Sequence, residues 1–169
     1  MNNNFYKYIF AVVVTLIFLG PIYGMIKPVS LDELVDRSDV IAVVNVLAVK
    51  NVGTLPSGNE VIANLVSINQ PLMGNVAVGE RLKLKTFSME DNAVLKPKTR
   101  VLLFLRRVKD YYEVTSGIAG AWPINDNDVI SGYGSGKTIG DVEKSISRKN
   151  DSENGKKEPK KPAKTVLSI

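Results

Sequence analysis

Glu80-Arg81-Leu82-Lys83-Leu84-Lys85-Thr86-Phe87 alternates apolar and charged side chains without a break. A strand turns successive side chains to opposite faces. Leu82, Leu84 and Thr86 therefore point one way, and Arg81, Lys83, Lys85 and Phe87 the other. The segments on either side also carry strand signals. Val40 to Val49 is a β-branched run too apolar for a one-sided strand, which predicts a long central strand that bends. Thr54 to Asn59 is a turn cluster, and Glu60 to Asn69 makes a second strand. Gln70-Pro71 is expected to end it, since Pro cannot donate to a ladder. Arg100 to Arg106 reads as another buried strand, and Lys109-Asp110 turns it into Tyr111–Thr115 as an antiparallel hairpin. Gly117, Gly120 and Pro123 interrupt the segment around Trp122, and Asp128–Ser131 is expected to be a last short strand.

Two short helices frame the strands. Ser30 can cap a helix that ends near Ser38, with Glu33 three residues on and Leu31, Leu34 and Val35 on one face. Thr138 to Ile146 reads as a closing helix with Ile139, Val142 and Ile146 on one face. Five or six short strands between two short helices predict a mainly β fold, a small antiparallel barrel.

The order of these segments is similar to a family pattern. Ser30-Leu31-Asp32-Glu33-Leu34-Val35 comes first, then Ser38-Asp39-Val40-Ile41 opening a long strand. Leu72-Met73-Gly74 follows the second strand, and Val101-Leu102-Leu103-Phe104-Leu105 precedes a Tyr-bearing one. Over about residues 30–147 the chain resembles a group of uncharacterised exported bacterial domains. That resemblance implies an OB-like barrel and carries over no activity.

Tyr8 to Ile26 is an uncharged, mostly Ile, Phe, Val and Leu stretch with only Lys7 before it. At about 1.5 Å per helical residue it just reaches bilayer thickness. Residues 1–26 are thus either a signal peptide, with a cut after Gly24, or an uncleaved membrane anchor. Both place the folded part outside the cytoplasm: periplasmic, at the cell surface or secreted. The absence of Cys rules out disulfides, so residues 27–147 must be held by their core alone. This favours a bacterial envelope protein. That span balances 14 Lys and Arg against 14 Asp and Glu, whereas residues 148–169 carry seven basic and three acidic residues. The basic tail buries too little to offset ordering entropy and is expected to be disordered.

Two motifs invite chemical readings that the chain does not sustain. Gly134-Ser135-Gly136-Lys137-Thr138 looks like the end of a P-loop, but Ser131 stands where the first Gly is required. A flexible turn with Thr138 as a helix cap explains it. Asn125-Asp126-Asn127-Asp128 offers too few carboxylates for calcium and reads as an Asx-rich turn. With no His and no Cys, the usual zinc and copper sites and the common catalytic triads cannot be built. No catalytic, metal or cofactor-binding residue is assigned.

The positive signal is a basic band. Nine Lys and Arg stand between Arg81 and Lys109, against Glu90 and Asp91. Arg81, Lys83, Lys85 and Phe87, with Arg100, are the candidate ligand-binding residues on an OB-like barrel; an ordinary solvated strand face is the simpler alternative. The expectation is an exported, non-enzymatic binding or assembly domain at the bacterial envelope. Its partner would be an envelope protein or an anionic surface, lipid headgroup or polysaccharide; nucleic acid is a poor ligand outside the cytoplasm. A hydrolase acting on envelope carbohydrate or peptide, through carboxylates or a Ser–Lys pair, is the alternative.

Overall fold

The computed structural model describes residues 28–155; the apolar stretch Tyr8–Ile26 and residues 156–169 lie outside the described residues. Helix α1 (Leu31–Asp36) leads into strands β1 (Val40–Thr54), β2 (Glu60–Met73), β3 (Arg81–Phe87), β4 (Arg100–Val108), β5 (Tyr111–Val114) and β6 (Ala121–Ile124), and helix α2 (Ile139–Gly155) closes the chain. The six strands form one sheet in the order β1-β2-β3-β5-β4-β6, and β1 also pairs with β4. Five strands therefore close into a ring, with β6 added to the outside edge of β4. The sheet is mixed rather than antiparallel, because β3 and β5 run parallel where the ring joins.

The ring has two cores, one on each side of its wall. Val40, Ala42, Val44 and Val46 of β1 face inward with Val101, Leu103 and Leu105 of β4 and Leu82 and Leu84 of β3. Ile41 and Val43 face outward with Leu102 and Phe104, against Leu34 and Val35 of α1, Trp122, and Val142 and Ile146 of α2. The apolar run in β1 follows directly, since a strand covered on both faces loses its polar alternation. Phe104 and Trp122 meet at 4.9 Å between ring centroids, and the Trp122 indole N–H donates to the Ala119 carbonyl at 2.7 Å. Inside the ring, Thr86 joins Leu82 and Leu84 as the alternation predicts, and accepts a hydrogen bond from the Asn64 amide at 3.0 Å.

Several boundaries depart from the sequence reading. Pro71 does not end β2, which continues to Met73 opposite Ile41. Beyond Ser67, β3 no longer pairs with β2, and bulges flank Pro71, so an edge with irregular register tolerates the missing donor. Trp122 and Pro123 lie within a strand rather than an interrupted segment; β6 pairs only with β4, again an edge position. Asp128–Ser131 makes no strand, only a single bridge from Ile130 to Ile124. Asn125 instead builds the Asx turn, its side-chain oxygen accepting from the backbone N–H groups of Asn127 and Val129.

Helix α2 runs to Gly155, past the boundary drawn at Ser147. Contacts to α1 extend it: Arg148 pairs with Asp32 at 2.8 Å, and the Lys149 ammonium donates to the Val35 carbonyl at 3.1 Å. A sequence-local reading sees only polar residues there and misses this tertiary support. At its start, the Thr138 hydroxyl accepts from the Asp141 backbone N–H, while the Asp141 carboxylate accepts from the Thr138 N–H and hydroxyl. The Gly134–Thr138 segment is thus a turn and a helix cap, with Gly134 pressed on the Trp122 ring.

Two predictions follow from this packing. A Cβ at Gly134 would clash with Cδ2 of the Trp122 ring. Gly134→Ala should lower stability by about 1–3 kcal/mol. Gly53→Ala, which meets nothing within 4 Å, should stay within about 0.5 kcal/mol of the parent in urea unfolding. The hydrogen bonds from Thr138, the backbone one foremost, hold the Asp141 carboxyl below its usual value. A depressed carboxyl stabilises the fold fully above its unfolded pKa, about 3.9, and loses that stabilisation as pH falls through the lower folded value. Asp141→Asn should therefore lower Tm at neutral pH and give a shallower fall of Tm below about pH 4 than the parent. Parallel Tm–pH curves would show that the cap contributes nothing to acid sensitivity.

Candidate functional site

Strand β3 turns Arg81, Lys83, Lys85 and Phe87 to the outside of the ring, as the alternation predicts. Opposite them on β2 stand Ser67, Leu65, Ala63 and Val61, in register with 81, 83, 85 and 87. This outer face differs from the face under the helices, since among the described residues no helix packs on it and Lys83 remains exposed.

A bulge in β1 completes the face. Up to Val46 the even residues of β1 point inward. Val46 pairs with Val66 but Ala48 pairs with Leu65, so Leu47 is an extra residue on β1. Because side chains alternate with period two, one inserted residue reverses every position after it. Val49 then packs toward the interior, and Ala48 and Lys50 come to the outer face beside Leu65 and Ala63.

The result is a groove of about 330 Å³ whose floor is Ala48, Ala63 and Leu65 and whose walls carry Lys50, Lys83 and Lys85. Asp110, from the β4–β5 turn, and Tyr111, the first residue of β5, also line it. The Lys85 ammonium sits 3.9 Å from the centre of the Tyr111 ring, within cation–π range. The Tyr111 hydroxyl donates to Glu113 at 3.4 Å. Partial desolvation first, then the Glu113 carboxylate, push the Tyr111 phenol above its usual pKa, so it stays neutral and keeps its proton. Three ammonium groups above an apolar floor suit an anionic ligand that also presents apolar surface.

The structure brings together only part of the expected band. Lys83 and Lys85 line the groove, Arg81 lies on the same face at the start of β3, and Phe87 lines an adjoining hollow with Lys85. Arg100 is elsewhere. It opens β4 between β1 and β6, and its guanidinium is paired with Asp128. Arg106 is likewise paired, with Glu113 at 3.1 Å. Lys50 and Tyr111 line the groove but are not among the candidates that the sequence alone marks. Lys50 reaches the site only through the bulge at Leu47.

Among the described residues no three of His, Cys, Asp and Glu come together as metal ligands, and no helix is long and apolar enough to cross a membrane. No protein-family model and no curated protein matches this sequence.

Proposed function

We propose that this chain is an exported, non-enzymatic binding domain of the bacterial cell envelope, and that its ligand is anionic and docks in the groove over β1, β2 and β3. The observation that carries this reading is the convergence of Lys50 from β1 with Lys83 and Lys85 from β3 above the apolar floor of Ala48, Ala63 and Leu65. A merely solvated strand face scatters its charges; here a bulge turns a lysine of a second strand toward those of the first.

We read the five-strand ring as an OB-like barrel, supported by its order β1-β2-β3-β5-β4 with β1 returning to β4. In such barrels the face of strands 2 and 3, with the loops between strands 1 and 2 and strands 4 and 5, holds oligonucleotides or oligosaccharides. The groove lies on that face, and Asp110 comes from the turn between strands 4 and 5, with Tyr111 directly after it at the start of β5. Export rests on the apolar stretch Tyr8–Ile26 and sets nucleic acid aside, leaving anionic lipid headgroups and acidic envelope polysaccharide as ligands. The basic residues 148–169 add attraction to the same surfaces.

The test is co-sedimentation of the chain with anionic phospholipid vesicles and with an insoluble acidic polysaccharide, at low and high salt. Binding to at least one is expected, weakening steeply with salt. Lys83→Glu/Lys85→Glu should cost about tenfold, from two exposed charge pairs of ~0.5–1 kcal/mol each. Arg100→Gln, remote from the groove, should leave binding unchanged. Equal recovery of parent and double variant would remove the groove as the site.

A further inference from the structure

The groove does not end at Tyr111. Lys85 also lines a neighbouring hollow of about 220 Å³ that holds Phe87, Asp91 and Glu113. Arg106 lines that hollow and a third one, of about 410 Å³, that reaches Arg37 and Thr115. Each hollow shares a basic residue with the next. Together they cross the outer face of the ring from β1 to the end of α1, by way of β2, β3, β5 and β4. We infer that these hollows form one track for an extended acidic polysaccharide strand, bound across the β-strands from Lys50 to Arg37. This rests on the groove being an anion site and names the ligand class.

Length is the first reason. Four steps between neighbouring strands, at about 4.8 Å each, make a path of roughly 19 Å. One lipid headgroup fills the Lys50–Lys85 groove and leaves the rest of the path empty. A polymer uses all of it, and each further unit adds its contacts at no new association cost.

Charge pattern is the second. Carboxylates interleave with the bases along the track: Asp110 beside Lys83 and Lys85, Asp91 and Glu113 between Lys85 and Arg106. Arg106 is held by Glu113 at 3.1 Å, and Arg37 by Glu33 at 3.3 Å. A polyphosphate, with no hydroxyl donors between its charges, would lay phosphates against these carboxylates, and like charges there are repulsive. An acidic sugar strand carries hydroxyl donors between its carboxylates. The donors suit Asp91, Asp110 and Glu113, and the carboxylates suit the lysines and arginines. Tyr111 and Phe87, both half-buried on this face, add amphipathic ring surface for the C–H faces of sugars.

The experiment is calorimetric titration of the full chain, at fixed salt, with oligogalacturonates of two and eight units and with polyphosphate of matched charge. The octamer is expected to bind at least tenfold more tightly than the dimer and more tightly than polyphosphate. Arg37→Ala/Arg106→Ala, at the far end of the track, should weaken the octamer about fivefold and leave the dimer unchanged. Equal affinities for dimer and octamer, an unchanged octamer in the arginine variant, or a preference for polyphosphate would each overturn the track while leaving the anion site in place. If no probe distinguishes the parent from Lys83→Glu/Lys85→Glu, the anion site itself is lost, and the track with it.

Discussion

The β1–β4 pair, apolar on both faces, is the constraint around which the molecule is organised. Six residue pairs from Val40↔Leu105 to Asn45↔Arg100 close the ring, and nearly all of them are inaccessible to solvent. Their alternate side chains feed two cores, so each strand needs cover outside as well as inside. Burial of one such side chain contributes about 1.5–3 kcal/mol. Leaving the outer set bare would forfeit that for Ile41, Val43, Leu102 and Phe104 together. Helices α1 and α2 and strand β6 supply the cover. The cap at Thr138 and the Gly134–Trp122 contact set where the final helix begins.

That demand divides the outer surface into a covered and an uncovered half. Where β1 and β4 need cover, the helices sit. Where β2 and β3 alternate with charge, none is needed, and among the described residues no helix lies there. Strand β1 takes part in both halves, and the bulge at Leu47 marks the change. Before it, odd residues lie under the helices; after it, even residues join the basic groove. A fifteen-residue strand that ran straight would carry Lys50 to the wrong face.

The legibility of the sequence follows the same division. Elements set by local pattern were readable: the period-two alternation of β3, the capped helix at Ser30, and the hairpin over Lys109-Asp110. Features set by neighbours distant in sequence were not. The parallel join of β3 to β5 pairs only Leu84 with Tyr112 and Lys85 with Glu113, and no single strand announces it. Pro71 and Pro123 read as breakers because their edge positions depend on which strand lies alongside. Helix α2 past Ser147 is polar throughout and is held by Asp32 and by carbonyls at the end of α1. The site divided likewise. Lys83 and Lys85 were visible in the alternation, whereas Lys50 required a bulge that composition does not mark. Arg100 looked like part of a band in sequence, but the ring sets it on β4 opposite Asn45, outside the groove lining and paired with Asp128.

The basic pI of about 9.3 is a poor guide to what the domain attracts. Residues 27–147 carry no net charge, so attraction of an anion to the domain arises from local placement. At physiological ionic strength a charge is screened over about 8 Å, roughly the spacing of two strands. Lys50, Lys83 and Lys85 therefore share one local field at the groove, while Arg100, outside it and paired with Asp128, adds little to that field. Their apolar floor strengthens the effect, since interactions near low-dielectric surface are weakened less than those in open water. Asp110 and Glu113 then set a limit: they oppose uniform negative charge and accept hydroxyls. On the proposed reading, selectivity for a mixed ligand over a uniformly charged one would follow from that alternation, not from the number of lysines.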